Sequence, residues 1–186
     1  MEFEILAWSI IAGFSRGINI YKNNTEDFNK AEFKKFLKKE LRDRFGNNYH
    51  TDSKTHIKKL SKLKEDIDRK FGKILDNGEQ IYFGRVQKIV NLYLKYRWVC
   101  FNERKPVHCP FDSNILNELG LFGIRFTRMT EDQYREAIKK VEEKANRFEN
   151  IAEWEIKVFN SKNPFYQNLL PRQSSIFFLF LVFRMP

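Results

Sequence analysis

Several side chains in this sequence have the types and spacings that could do chemistry. Lys34, Lys35, Lys38, Lys39 and Arg42 crowd one face of a helical stretch, and Lys58 and Lys62 follow in the next. Ammonium and guanidinium groups so arranged can neutralise phosphates and release their counterions. Tyr93, Tyr96, Trp98 and Phe101 can stack on bases where exposed, but at helical spacing beside Val90 and Leu94 they read as core. Lys88 stands on an otherwise apolar stretch, where its amine either serves chemistry or snorkels to solvent. Asp112, followed by Ser113 before an apolar run, has the form of a helix N-cap. Cys100, His108 and Cys109 are candidate metal donors. Adjacent His and Cys side chains point apart, however, and no fourth ligand stands at a standard spacing, so the cysteines read as reduced structural thiols. No metal or other cofactor is expected. The sequence has no P-loop, no dinucleotide-binding glycine fingerprint and no Gly-x-Ser-x-Gly elbow, which leaves nucleotide hydrolysis and ester chemistry without support.

The elements that must position these groups are helical. An apolar helix is expected over residues 3–17, closed by the polar loop KNNTED. A second runs from about Asn29 to Phe45, with Phe33, Phe36, Leu37, Leu41 and Phe45 inward, and ends at Gly46-Asn47. Asp52 or Ser53 can cap a third, to about Leu75, burying Ile57, Leu60, Leu63, Ile67, Phe71 and Ile74. Asn77-Gly78 is a turn. The stretch from about Gln80 to Val99 is apolar on nearly every face and should be the central helix. Beyond the loop bracketed by Pro106 and Pro110, Asp112 or Ser113 opens a short helix ending at Gly120. Thr130 and Gln133 fit a capping box for a helix to about Phe148, and IAEWEIKVF forms a last one, ending near Asn160. Only residues 121–127 and 175–183 have strand character. The expected fold is therefore all-α, a bundle of about six to seven helices in a single domain over residues 1–165. The apolar tail, residues 166–186, either packs on that domain or is an abnormal end to the chain.

Composition narrows the class. The 186 residues are 42% apolar and 16% aromatic, enough to bury a core, and two cysteines exclude a disulfide scaffold. The net charge of +10 is uneven: residues 28–105 hold 21 basic and 10 acidic side chains, whereas residues 1–27 are net acidic. A positive field confined to the middle of the chain points to a polyanion, DNA or RNA, as partner. The opening MEFEILAWSIIAGF carries Glu2 and Glu4 where a signal peptide needs positive charge, and its apolar run is too short to span a bilayer. A cytoplasmic location without membrane insertion is expected.

The stretch GRVQKIVNLYLKY, the Pro-bounded loop and PFDSNILNELGL together resemble the lyase core of the helix-hairpin-helix DNA glycosylase superfamily. Lys88-Ile89-Val90-Asn91 is similar to the family's G-x-K-x-A-N pattern, and Phe111-Asp112-Ser113-Asn114-Ile115 to its V-D-x-x-V. Leu119-Gly120 closes the short helix as in that family. The family's L-P-G-x-G hairpin has no counterpart before Gly84, where the chain reads DNGEQIYFGRVQK, and there is no iron–sulfur cysteine set. In those enzymes a nucleotide is flipped from the duplex, a lysine amine attacks the anomeric carbon, and a carboxylate stabilises the developing charge and shuttles protons. The resemblance implies Lys88 as Schiff-base nucleophile, Asp112 as the carboxylate, and Arg85 and Lys95 as phosphate holders.

A second resemblance is looser. Arg44 and His50, with five residues between them at a helix end, are similar to the R-x(4–6)-H signature of HEPN ribonucleases. In those enzymes the Arg steadies the scissile phosphate and the His helps activate the ribose hydroxyl. The readings are thus a nucleic-acid-binding protein acting as a DNA glycosylase or lyase, a HEPN-like ribonuclease, or a non-catalytic nucleic-acid binder.

Overall fold

The computed structural model describes residues 1–14, 20–145 and 150–162. Among them are seven α-helices and no strand: α1 Glu2–Gly13, α2 Asp27–Phe45, α3 Ser53–Phe71, α4 Phe83–Phe101, α5 Ser113–Glu118, α6 Glu131–Lys144 and α7 Ile151–Lys162. Two 3-10 turns, Gly72–Ile74 and Phe126–Arg128, punctuate the connections. The expected tail, and the ends assigned to the first helix beyond Phe14 and to the sixth at Phe148, lie outside the described residues.

The all-α expectation holds. The strand character read in residues 121–127 resolves instead into a bend and a 3-10 turn, because Ile124 and Arg128 amides bond to carbonyls three residues back, Leu121 and Arg125. Among the described residues the only strand-like pairing is an isolated bridge between Tyr21 and Leu75.

Capping chemistry sets the helix starts. Asp52 Oδ1 accepts from Thr55 N at 2.9 Å, and Asp112 Oδ1 accepts from Asn114 N and Ile115 N at 3.0 and 3.1 Å. Thr130 and Gln133 form the reciprocal capping box. At the other end of α4, Asn102 adopts the left-handed conformation, which asparagine tolerates.

Helix α4 is the centre of the bundle and touches α1, α2, α3, α6 and the Phe126–Arg128 turn. Its Phe83, Val86, Ile89, Val90, Tyr93 and Leu94 are buried, against Phe33, Leu37 and Leu41 of α2 and Ile57, Leu60 and Leu63 of α3 in one core. Phe36, Phe71, Ile74 and Trp98, read as inward from the sequence, are only half-buried. Two glycines allow close approach to α4. A Cβ at Gly13 would sit 2.1 Å from Ile89 Cγ1, so α1 crosses there nearly in contact. A Cβ at Gly84 would sit 1.8 Å from the Phe126 carbonyl oxygen, so only glycine lets the 126–128 turn dock on the first turn of α4.

Candidate nucleic-acid interface and amine–carboxylate site

The basic residues of α2 and α3 lie outside the core. Lys34, Arg42, Lys58 and Lys62 are exposed and Lys38 is half-buried, its Nζ 4.0 Å from the Phe3 ring centroid. Lys62 pairs with Glu65 at 3.1 Å. Lys34, Arg42, Lys54 and Lys58 have no carboxylate partner among the described residues. The bundle therefore presents these cations to solvent, as the amphipathic pattern requires.

Lys88 and Asp112, 24 positions apart in the chain, are brought together: Nζ and Oδ2 are 4.0 Å apart. Both helices contribute. Gln87 sits one residue before Lys88 on α4 and is fully buried. Its amide Nε2 donates to the Phe111 carbonyl at 2.8 Å and its Oε1 accepts from Phe111 N at 3.1 Å. Asn91, one turn on, donates to the Cys109 carbonyl at 3.0 Å. These two amides fix the strand of chain entering α5, and Asp112 follows directly. The Lys88 ammonium also lies 4.0 Å from the Phe126 ring centroid, a cation–π contact. Its side chain is mostly shielded, whereas that of Asp112 is 38% exposed. At 4.0 Å the amine and carboxylate stand beyond direct hydrogen-bond distance, and groups so disposed can exchange a proton through one water.

The other cations implied by the glycosylase resemblance separate. Lys95 cannot hold a phosphate: it is buried, and its Nζ donates to both Glu155 oxygens at 2.9 and 2.6 Å. It is a structural link between α4 and α7. Burial pushes the Glu155 carboxyl up while Lys95 pulls it down. Arg85 is also buried but has no such anion among the described residues; it lines a cavity of about 290 Å³ between the 75–82 segment, α4 and the 125–128 turn.

The ribonuclease pair is not assembled. Arg44 is clamped by Glu40 at 2.5 Å and Asp66 at 2.6 Å, which ties α2 to α3, while His50 lies exposed beyond the end of α2, and no hydrogen bond joins the two among the described residues. The guanidinium beside Asp66 holds that carboxyl below the usual range. Arg44 is thus spent on two buried or half-buried carboxylates rather than presented to a scissile phosphate.

Buried polar groups behind the Lys88–Asp112 pair form a network with a single consistent proton assignment. Asn91 Oδ1 lies 2.9 Å from His56 Nε2, and Tyr49 Oη lies 3.0 Å from His56 Nδ1. Tyr134 Oη accepts from Asn91 Nδ2 at 3.0 Å and lies 2.8 Å from His108 Nδ1, whose Nε2 lies 2.8 Å from Ser53 Oγ. Both imidazoles are then neutral with the proton on Nε2. Burial pushes the His56 pKa down to about 4 and that of His108 to about 2. With both His108 nitrogens engaged and the Cys109 thiol pushed up by burial, these residues are not arranged as metal ligands; no cluster of three or more His, Cys, Asp or Glu suited to a metal occurs among the described residues. Cys100 is likewise raised by burial, to about 11.

Tyr93 and Tyr96 are core, and of the aromatic set considered for base stacking only Phe101 is exposed. No helix among the described residues is long and apolar enough to cross a membrane. The sequence reading missed Arg125 and Arg128, which share the cavity with Arg85; the only local signal was their three-residue spacing after Gly123. No family model, curated protein or solved structure matches the chain.

Proposed function

We propose that the protein binds nucleic acid through the basic outer faces of α2 and α3. The start of α3 carries this reading. Lys54, Lys58, Lys59, Lys62 and Lys64 fall between Ser53 and Lys64 with no carboxylate among them. The first turn of a helix is already positive, so Lys54 there opposes the macrodipole and detracts from stability. Asp52 offsets part of that as N-cap. Lys54 and Lys58 are exposed with no carboxylate partner among the described residues, and such uncompensated cations support an anionic partner. Lys34, Lys38 and Arg42 extend the basic surface along α2, at a spacing that places them on one edge of that helix. Binding of a labelled oligonucleotide, followed by fluorescence anisotropy across a salt series, tests this.

A second reading, DNA lyase chemistry, is favoured by the Lys88–Asp112 separation of 4.0 Å. At an abasic site the Lys88 amine would add to the C1′ aldehyde, and loss of water would give the imine, with Asp112 carrying the proton. Borohydride reduction of that imine, which leaves a covalent protein–DNA adduct, is its test.

A further inference from the structure

Among the described residues, Arg85 is a buried cation with no counter-ion. It is 7% exposed, and its one hydrogen bond among the described residues is from Nη1 to the Gly13 carbonyl at 3.3 Å. No described carboxylate pairs with it. The segments outside the described residues contain a single acid, Glu149, against Arg16, Arg147, Arg172 and Arg184. A guanidinium taken out of water and left without an anion is strongly unfavourable, and burial accordingly pushes the Arg85 pKa down. Every other buried Lys or Arg among the described residues has its carboxylate: Lys95 has Glu155, and Arg97 has Glu2 and Glu103.

The cavity that Arg85 lines is built for an anion. Arg125 and Arg128 open onto it from the 3-10 turn, both exposed and both without a carboxylate partner among the described residues. Thr127 and Tyr82, the N-cap residue of α4, complete this side of the lining. Asp76 is the one acid in the lining. The Gly84 contact explains the convergence, since it lets the 126–128 turn dock against the helix that carries Arg85. A volume of about 290 Å³ lies near the lower end of small-ligand sites, which run from about 300 to 1,000 Å³.

We propose that this cavity is a phosphate-ester site, in which Arg85 forms the buried floor and Arg125 and Arg128 close on the phosphate oxygens from the rim. Planar guanidinium forks suit tetrahedral oxyanions bidentately. The site stands whether or not α2 and α3 bind nucleic acid. Its phosphate can belong to a small ester such as a mononucleotide, or to a nucleic-acid strand.

Calorimetry and thermal melting with inorganic phosphate, against chloride at equal ionic strength, test the proposal. Phosphate should raise the wild-type melting temperature and chloride should not. The Arg125→Gln, Arg128→Gln double variant, altered only at exposed side chains, should melt like wild type in chloride and bind phosphate at least about tenfold more weakly. Arg85→Met should melt at or above the wild-type temperature in chloride and lose the phosphate response, whereas a merely structural Arg85 would leave that variant less stable. A wild-type response to phosphate no larger than to chloride, or unchanged affinity in the double variant, overturns the site. Competition by a 5′-mononucleotide but not by an oligonucleotide lacking terminal phosphates upholds it and assigns a small ester. Competition by that oligonucleotide that persists when Lys54, Lys58 and Lys62 are changed to Gln upholds it and assigns strand phosphates. Loss of oligonucleotide binding in the lysine variant with phosphate binding intact marks the two proposals as separate.

Discussion

Gln87 grips the backbone of Phe111 from both sides, donating to its carbonyl at 2.8 Å and accepting from its amide at 3.1 Å. That double bond between α4 and the chain entering α5 is what sets Asp112 opposite Lys88. Gln87→Leu keeps the volume but strands a buried N–H and C=O, each unfavourable by about 1–3 kcal/mol. Denaturant unfolding should show a loss of about 2–4 kcal/mol, well above a surface substitution. A change below about 0.5 kcal/mol would mean the grip contributes little.

Lyase chemistry makes a separate prediction at Lys88. Borohydride should trap wild-type protein on DNA containing an abasic site, Lys88→Ala should abolish the adduct, and Asp112→Asn should slow its formation by roughly 10²-fold or more, the size of a lost general acid–base group. Asp112→Asn keeps a side-chain oxygen to cap α5, so its effect on folding should be small. An adduct of equal yield in Lys88→Ala would assign the amine elsewhere.

Acid should destabilise the fold before the carboxylates are titrated. His56 and His108 have folded pKa values of about 4 and about 2, below the value of about 6.5 for a free imidazole. The unfolded chain therefore binds the extra protons, and stability is lost as pH falls below about 6.5. Each histidine contributes a slope of up to about 1.4 kcal/mol per pH unit, so the pair loses about 2.4 kcal/mol between pH 6 and pH 5. Protonating His108 would give Tyr134 a second N–H to accept beside that of Asn91 and leave its hydroxyl proton without an acceptor. Unfolding free energies measured across this range check the slope; a flat profile would show that both imidazoles take up protons in the fold as readily as in the unfolded chain.

The Lys95–Glu155 pair is a stability element rather than a nucleic-acid contact. Lys95→Met leaves a buried carboxylate alone and should cost about 3–5 kcal/mol, while Lys95→Met with Glu155→Leu should recover most of it. Oligonucleotide affinity of the double variant should equal that of wild type. A weakened affinity in that variant would return Lys95 to the binding surface.

Periodicity made the helices legible. The 3.6-residue repeat of Phe33, Leu37 and Leu41, and the caps Asp52, Asp112 and Thr130, are local signals, and the helices start where those residues stand. Tertiary partners were not legible. Lys95 has the same sequence surroundings as a snorkelling lysine, and only the packing of α7 on α4 supplies Glu155 from 60 positions away. The same holds for the Arg85 cavity and for His56, Asn91, Tyr134 and His108, which meet from four separate segments. Lys88 and Asp112 came from a resemblance, and the Gln87 and Asn91 bonds supply the physical reason that they meet.

Salt-dependent binding of an oligonucleotide tests the central claim most directly. For wild type, log K against log salt should be linear with a steep negative slope. Changing Lys54, Lys58 and Lys62 to Gln should flatten it by about 2 units for single strands, at roughly 0.7 per phosphate contact. No binding at low salt, or a slope unchanged in the variant, would contradict nucleic-acid recognition by this face.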